Sequence, residues 1–143
     1  MIVLDASVAL KWFVDDEPLV DESRNVLEAI GQNPRSYLVP ELFMNEVLAV
    51  LVRLPGTSVK RVTRAVALIE SLGLGRIGNG HELLEVAAKV ACDWRLSGYD
   101  AVYVAAAVLT EGTWLTADDR AARRVRRRRL VTHVRDWRTA AAS

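Results

Sequence analysis

Four carboxylates, Asp5, Glu46, Asp100 and Asp118, each lie at the end of an apolar run or on a helix expected to start from the same edge of a sheet. Carboxylates crowded together cannot all stay ionised without a cation, and no Lys or His is spaced to serve them. With only Cys92, His81 and His133 as softer donors, no zinc-ligand spacing can be assembled. An all-oxygen donor set suits Mg²⁺ or Mn²⁺, hard ions that keep several waters. An ion held this way activates water and stabilises in-line attack at phosphorus, and a pair about 3.5 to 4 Å apart would hold attacking and leaving oxygens together. Metal-dependent phosphodiester hydrolysis is therefore the chemistry these residues could do. Ser7, Asn45 and Thr116 stand where their polar groups could hydrogen-bond the carboxylates and fix their rotamers.

The elements that must position these acids can be read along the chain. Ile2-Val3-Leu4 lacks the alternation of a half-exposed strand and reads as a central parallel strand ending at Asp5, with Ser7, or Asp5 itself, to cap the short helix that follows. A helix from Leu19 to about Ile30, stopped by Gly31 and the Asn33-Pro34 pair, and a strand Tyr37-Leu38-Val39 follow. Pro40 and Glu41 open a helix to about Leu54 that is apolar around most of its circumference, as a helix buried by its own domain and by a second subunit would be. Its narrow polar side gathers Asn45, Glu46 and Arg53. A helix from Thr57 or Ser58 to about Leu72, a glycine-weakened edge strand at 73–77 and a helix to Trp94 come next. From Ala101 to Leu109 the following helix carries no charge, leaving Asp100 as its only carboxylate. Thr113-Trp114-Leu115-Thr116 forms a strand, and the helix after it is predicted to carry Arg120, Arg123, Arg124 and Arg126 to Arg129. A strand from Leu130 to Val134 closes the alternation. Five strands in the doubly wound order 3-2-1-4-5 would put Asp5 and Asp118 beside the switch point, with Glu46 and Asp100 overhanging it.

Bulk properties narrow the setting. At 143 residues and 51% apolar, residues 1–143 make one globular domain without need of disulfides. Lone Cys92, no basic leader before Asp5 and no uninterrupted membrane-length apolar run point to the cytoplasm and away from membranes. The net charge of +1 hides an asymmetry. Residues 117–143 hold nine Arg against three Asp, net +6, whereas residues 1–116 hold ten basic and fifteen acidic residues, net −5. That polarity suits a protein that keeps cations at one site while its rim attracts a polyanion, with Arg120, Arg123, Arg124 and Arg127 as candidate contacts to it. Trp12 and Phe13 would line a groove with these arginines.

With these residues in view, the chain resembles the PIN-domain ribonucleases, and among them the VapC-type toxins of toxin-antitoxin modules. The resemblance rests on Ile2-Val3-Leu4-Asp5-Ala6-Ser7, Asp16-Glu17-Pro18, Pro40-Glu41-Leu42 leading to Glu46, Tyr99-Asp100-Ala101-Val102-Tyr103 and Leu115-Thr116-Ala117-Asp118, in that order over nearly the whole chain. It implies a three-layer α/β/α sandwich, Mg²⁺- or Mn²⁺-dependent endoribonuclease activity, a homodimer, and a small antitoxin that blocks the site. The family's acids carry over to Asp5, Glu46, Asp100 and Asp118; Asp119 leaves the last position open, although the Thr-x-Asp spacing favours Asp118. Alternatives within the same fold are a housekeeping PIN nuclease and a catalytically idle binding module. A haloacid-dehalogenase-like phosphatase would need a second Asp where Ser7 stands, and a receiver domain needs an acidic pair after strand 1 and a Lys after strand 5.

Overall fold

The structure, a computed structural model, describes residues 1–139, and Ala140 to Ser143 lie outside it. Its centre is a parallel sheet of β1 (Ile2–Leu4), β2 (Tyr37–Pro40), β3 (Gly75–Ile77), β4 (Thr113–Thr116) and β5 (Val131–His133) in the order β3-β2-β1-β4-β5. The doubly wound order expected from the sequence is the observed one. The chain leaves β1 for one side of the sheet and reaches β4, its other neighbour, after two further crossovers, and the helices that follow β1 and β4, α1 and α7, lie on opposite faces, opening a crevice at the carboxyl ends of the two strands. In register, Ile2 pairs with Thr113, Val3 with Trp114 and Leu4 with Leu115. Gly112, just before β4, passes so close to the Met1 carbonyl that a Cβ there would strike it.

Strand alternation sorts the core into two layers. Leu4, Tyr37, Val39 and Leu115 face one layer, where α1 (Ala6–Leu10), α2 (Val20–Gln32), α3 (Leu42–Leu51) and α4 (Val59–Ser71) supply Val8, Val26, Ile30, Phe43, Val47 and Ile69. Val3, Leu38 and Trp114 face the other, built from α5 (His81–Trp94), α6 (Gly98–Leu109) and α7 (Asp119–Arg124). The result is a three-layer α/β/α sandwich. Seven consecutive residues of α6, Ala101 to Ala107, are buried, which four alanines among them allow by letting the helix lie close to both the sheet and α5. α3 buries Phe43, Val47 and Leu51 at helical spacing, while Leu48, Val50 and Val52 remain exposed.

Some local expectations are corrected. Asp5, not Ser7, caps α1: it has extended backbone angles and its side chain accepts the Ser7 amide. α2 runs through Gly31 to Gln32, because one glycine costs a helix only about 1 kcal/mol against the burial of Val26 and Ile30, and it ends at the Asn33-Pro34 pair. The basic helix ends early. α7 stops at Arg124, because Val125 turns into the core with extended backbone, and Arg126 to Arg129 follow on a bend and a single 3₁₀ turn, Arg128–Leu130. Among the described residues no helix is long and apolar enough to cross a membrane.

Candidate metal centre

Asp5 takes its direction from the sheet. Its amide donates to Leu115 O at 3.0 Å, extending the β1–β4 ladder by one residue. Alternation then turns its side chain to the face of Val3 and Trp114, alongside Thr116. There Asp5 is buried, and its Oδ2 accepts the Thr116 hydroxyl at 3.0 Å, the Ser7 amide at 3.2 Å and, at close range, the Ser7 hydroxyl. The Ser7 hydroxyl also accepts from the Ala117 amide at 2.9 Å, and Thr116 accepts from the Asp118 amide at 3.1 Å. Three donors thus converge on one oxygen. Among the described residues Oδ1 has no hydrogen-bond partner, which leaves one lone-pair face of a rigidly held carboxylate for something else.

The other acids arrive on helices. Asp100 sits in the first turn of α6, where Ser97 caps the helix and accepts the Asp100 amide at 3.0 Å. Glu46, one turn into α3, accepts the Tyr103 hydroxyl at 2.8 Å on Oε1. Asp118 is exposed and caps α7, accepting the Arg120 and Ala121 amides at 2.9 and 3.0 Å on Oδ1.

Electrostatics ties the four into one group. Burial raises the Asp5 carboxyl above its usual range, against the opposing pull of the Ser7 and Thr116 hydroxyls. The Trp114 indole N–H, buried and without a hydrogen-bond partner among the described residues, also favours its carboxylate form. Burial carries Glu46 up to about 7; Tyr103 opposes this, and the charges of Asp5 and Asp100 add to it. Asp100 is raised by burial and then by Asp5, with a further push from Asp118 and partial relief from Arg124. The acids therefore form a chain of mutual repulsion, Glu46 to Asp5 to Asp100 to Asp118. Arg124 is the cation that reaches them.

Two positions come apart from their expected places. Asn45 is exposed and hydrogen-bonds no carboxylate among the described residues, because one helical step of 100° turns it away from the side on which Glu46 meets Tyr103. Trp12 is largely buried, its indole donating to Ser23 O at 2.7 Å, and with Phe13 it lines a pocket closed by Leu51, Leu54 and Val62, not by the Arg-rich segment. Asp119 faces β5, 3.3 Å from His133 Nε2 and 3.6 Å from Arg135, and it is Asp118 whose charge is felt at Asp100. Tyr103, by contrast, belongs to the site although residue type gave no reason to single it out. A hydroxyl three residues after Asp100, the one polar side chain between Ala101 and Leu109, is the available signal.

The donor set can be tested against a divalent cation. Among the described residues no three His, Cys, Asp or Glu side chains are drawn tightly enough to make a ready-made metal cage. A hard ion does not need one, since Mg²⁺ is usually held by one or two carboxylates and keeps the rest of its shell as water. A rigid Asp5 with one oxygen free, flanked by Glu46 and Asp100 whose charges the protein leaves largely uncompensated, fits such an ion.

An acidic centre at the switch point of a doubly wound sheet defines an α/β/α domain with an acid-lined site at the carboxyl edge of its strands. The PIN domain model matches residues 2–127, and the chain belongs to the PIN domain family. No curated protein matches the sequence. Among solved structures the chain is similar to a toxin-antitoxin complex from Klebsiella pneumoniae, at 16% identity over 94% of this chain and 98% of that one, with a TM-score of 0.70. It is similar to VapBC2 from Rickettsia felis bound to a promoter DNA fragment, at 12% identity over 96% and 100%, TM-score 0.70. A third is VapC20 from Mycobacterium tuberculosis, a sarcin-ricin loop cleaving toxin, at 14% identity over 86% and 94%, TM-score 0.68.

Proposed function

We propose that the chain is a Mg²⁺- or Mn²⁺-dependent endoribonuclease and the toxin of a type II toxin-antitoxin pair, acting in the cytoplasm. The observation that carries this reading is the coupling of Asp5, Glu46, Asp100 and Asp118 into one acidic group at the sheet edge of a PIN-family domain. The similarity to toxin-antitoxin complexes supports the antitoxin as partner. In this reading Asp5, Asp100, Glu46 and Asp118 hold the ion, and Ser7 and Thr116 keep Asp5 oriented. A bound divalent ion supplies Lewis acidity toward water and toward the phosphoryl oxygens. The buried floor of Thr116, Trp114 and Tyr103 keeps bulk water from the inner side of the carboxylates, where a low local dielectric strengthens their hold on a cation. Exposed Leu48 and Val50 on α3 and Val52 just after it give a second copy of the chain an apolar surface to cover.

The purified protein should cut RNA with Mg²⁺ or Mn²⁺ and leave it intact in EDTA, with Asp100→Asn inactive in both. Cleavage that persists in EDTA would rule out the metal-dependent mechanism.

Substrate binding is assigned to the basic edge. Arg120, Arg123, Arg124, Arg126, Arg127, Arg128 and Arg129 are all exposed, and none forms an ion pair among the described residues. They lie on α7 and the turn after it, starting directly from Asp118. Unpaired guanidinium groups are free to replace counter-ions along a phosphate backbone, each contact contributing about −0.7 to the slope of log K against log salt on single strands. Replacing Arg123, Arg124 and Arg127 with Gln is expected to flatten that slope by about 2 and weaken binding across sequences. Filter binding between low and high salt decides it, since a wild-type slope in the triple variant would put the RNA elsewhere.

A further inference from the structure

Among the described residues Tyr103 makes the one side-chain hydrogen bond between α6 and α3, and its surroundings leave it little choice of conformation. Its ring is fully buried and stacked on Trp114 at 5.7 Å between centroids and 17° between planes. Trp114 is itself fully buried in the middle of β4, so the ring rests on the sheet and cannot swing. Held there, the hydroxyl donates to Glu46 Oε1 at 2.8 Å across 57 residues of sequence. It also lies beside the Ala6 amide, which favours the phenol oxygen from the β1–α1 junction where Asp5 sits. The hydroxyl is thus fixed between the strand that presents Asp5 and the helix that presents Glu46.

What Glu46 lacks is as informative as what it has. It forms no ion pair with Lys, Arg or His among the described residues, and Oε2 has no hydrogen bond there. A half-buried Glu placed for stability alone is normally met by a cation. Tyr103 is a neutral donor, so it orients the carboxylate without cancelling its charge. An Arg or Lys in the same place would compete with any metal ion for that charge.

We propose that Tyr103 is a positioning residue that fixes the Glu46 carboxylate by one oxygen so that the other is presented to a divalent cation shared with Asp5. The inference rests on the metal-site reading above and adds to it a specific hydroxyl that never touches the ion. The effect of losing such a contact is a weaker hold on the metal, typically about 10-fold or more, rather than loss of the fold.

The test uses Tyr103→Phe, which keeps the ring and its stack on Trp114. Mn²⁺ binding is measured by calorimetry, alongside thermal unfolding in EDTA, for wild type, Tyr103→Phe, Glu46→Gln, the double variant and Asp5→Asn. Expected are Mn²⁺ affinity weakened about 10-fold in Tyr103→Phe with a metal-free melting temperature near wild type, and a double variant no weaker than Glu46→Gln alone. Wild-type Mn²⁺ affinity in Tyr103→Phe, or a loss that adds in full to that of Glu46→Gln, would overturn the positioning role while leaving the metal site standing. Wild-type protein that binds no Mn²⁺, or Asp5→Asn that binds it as wild type does, would overturn the metal site and this inference with it.

Discussion

Asp5→Asn is expected to abolish RNA cleavage while leaving the protein as stable as wild type or more so. Losing a group that merely orients a metal ligand costs about 10- to 100-fold, so replacing the best-held ligand itself should cost about 1,000-fold or more. Stability should move the other way. The amide of Asn keeps a neutral oxygen that can accept from the Ser7 amide, the Ser7 hydroxyl and Thr116, and Asn caps a helix about as well as Asp. What disappears is a buried negative charge that burial already makes costly and that repels Glu46 and Asp100. Asp5→Ala offers the contrast. It removes the cap of α1 and strands the Ser7 and Thr116 hydroxyls, at a cost of about 2 to 4 kcal/mol. The two variants should be equally inactive but differ in urea midpoint, measured in EDTA. Cleavage by Asp5→Asn within a factor of about ten of wild type would remove Asp5 from the chemistry.

These roles for Asp5 could be read in part from the chain because a short apolar run ending in Asp is local information. The same holds for the order of the strands, since regular alternation of short apolar runs with helical periods admits few topologies. Thr116 and Ser7 were also accessible, each lying two residues from an acid at a strand end. The choice between Asp5 and Ser7 as cap was not. Both residue types cap well, and the outcome turned on the ladder bond from the Asp5 amide to Leu115, a contact across 110 residues. The basic helix is shorter than its sequence predicts for a similar reason. Arg is a good helix former, so propensity favoured continuation, but burying Val125 and Leu130 under α6 required the chain to turn. Tyr103 shows the limit most plainly, because its value depends on Glu46 and Trp114 being brought to it from two other elements.

The last expectation concerns pH, and it follows from the raised carboxyls. Glu46 has a folded value of about 7 against an ordinary 4.5, so between those values the folded chain binds the proton and the unfolded chain does not. Stability from this group is fully present below the unfolded value and is lost as pH rises through the folded one. Asp5 and Asp100 are raised as well and act in the same direction, upward from 3.8. Metal-free protein should therefore be more stable near pH 5 than near pH 8, with Glu46 contributing about 1 to 3 kcal/mol after solvent screening of a half-buried group. Glu46→Gln has no proton to lose, so its stability should fall less over the same range. Divalent metal reverses the trend. Because it binds the ionised carboxylates, its stabilisation grows as they deprotonate, and saturating Mn²⁺ should restore at pH 8 what EDTA removes. Urea unfolding at the two pH values, with EDTA and with Mn²⁺, measures all of this in one series. If wild type and Glu46→Gln lose stability equally between pH 5 and pH 8 in EDTA, Glu46 is not the group that titrates. If Mn²⁺ stabilises no more at pH 8 than at pH 5, the ionised acids are not what holds it.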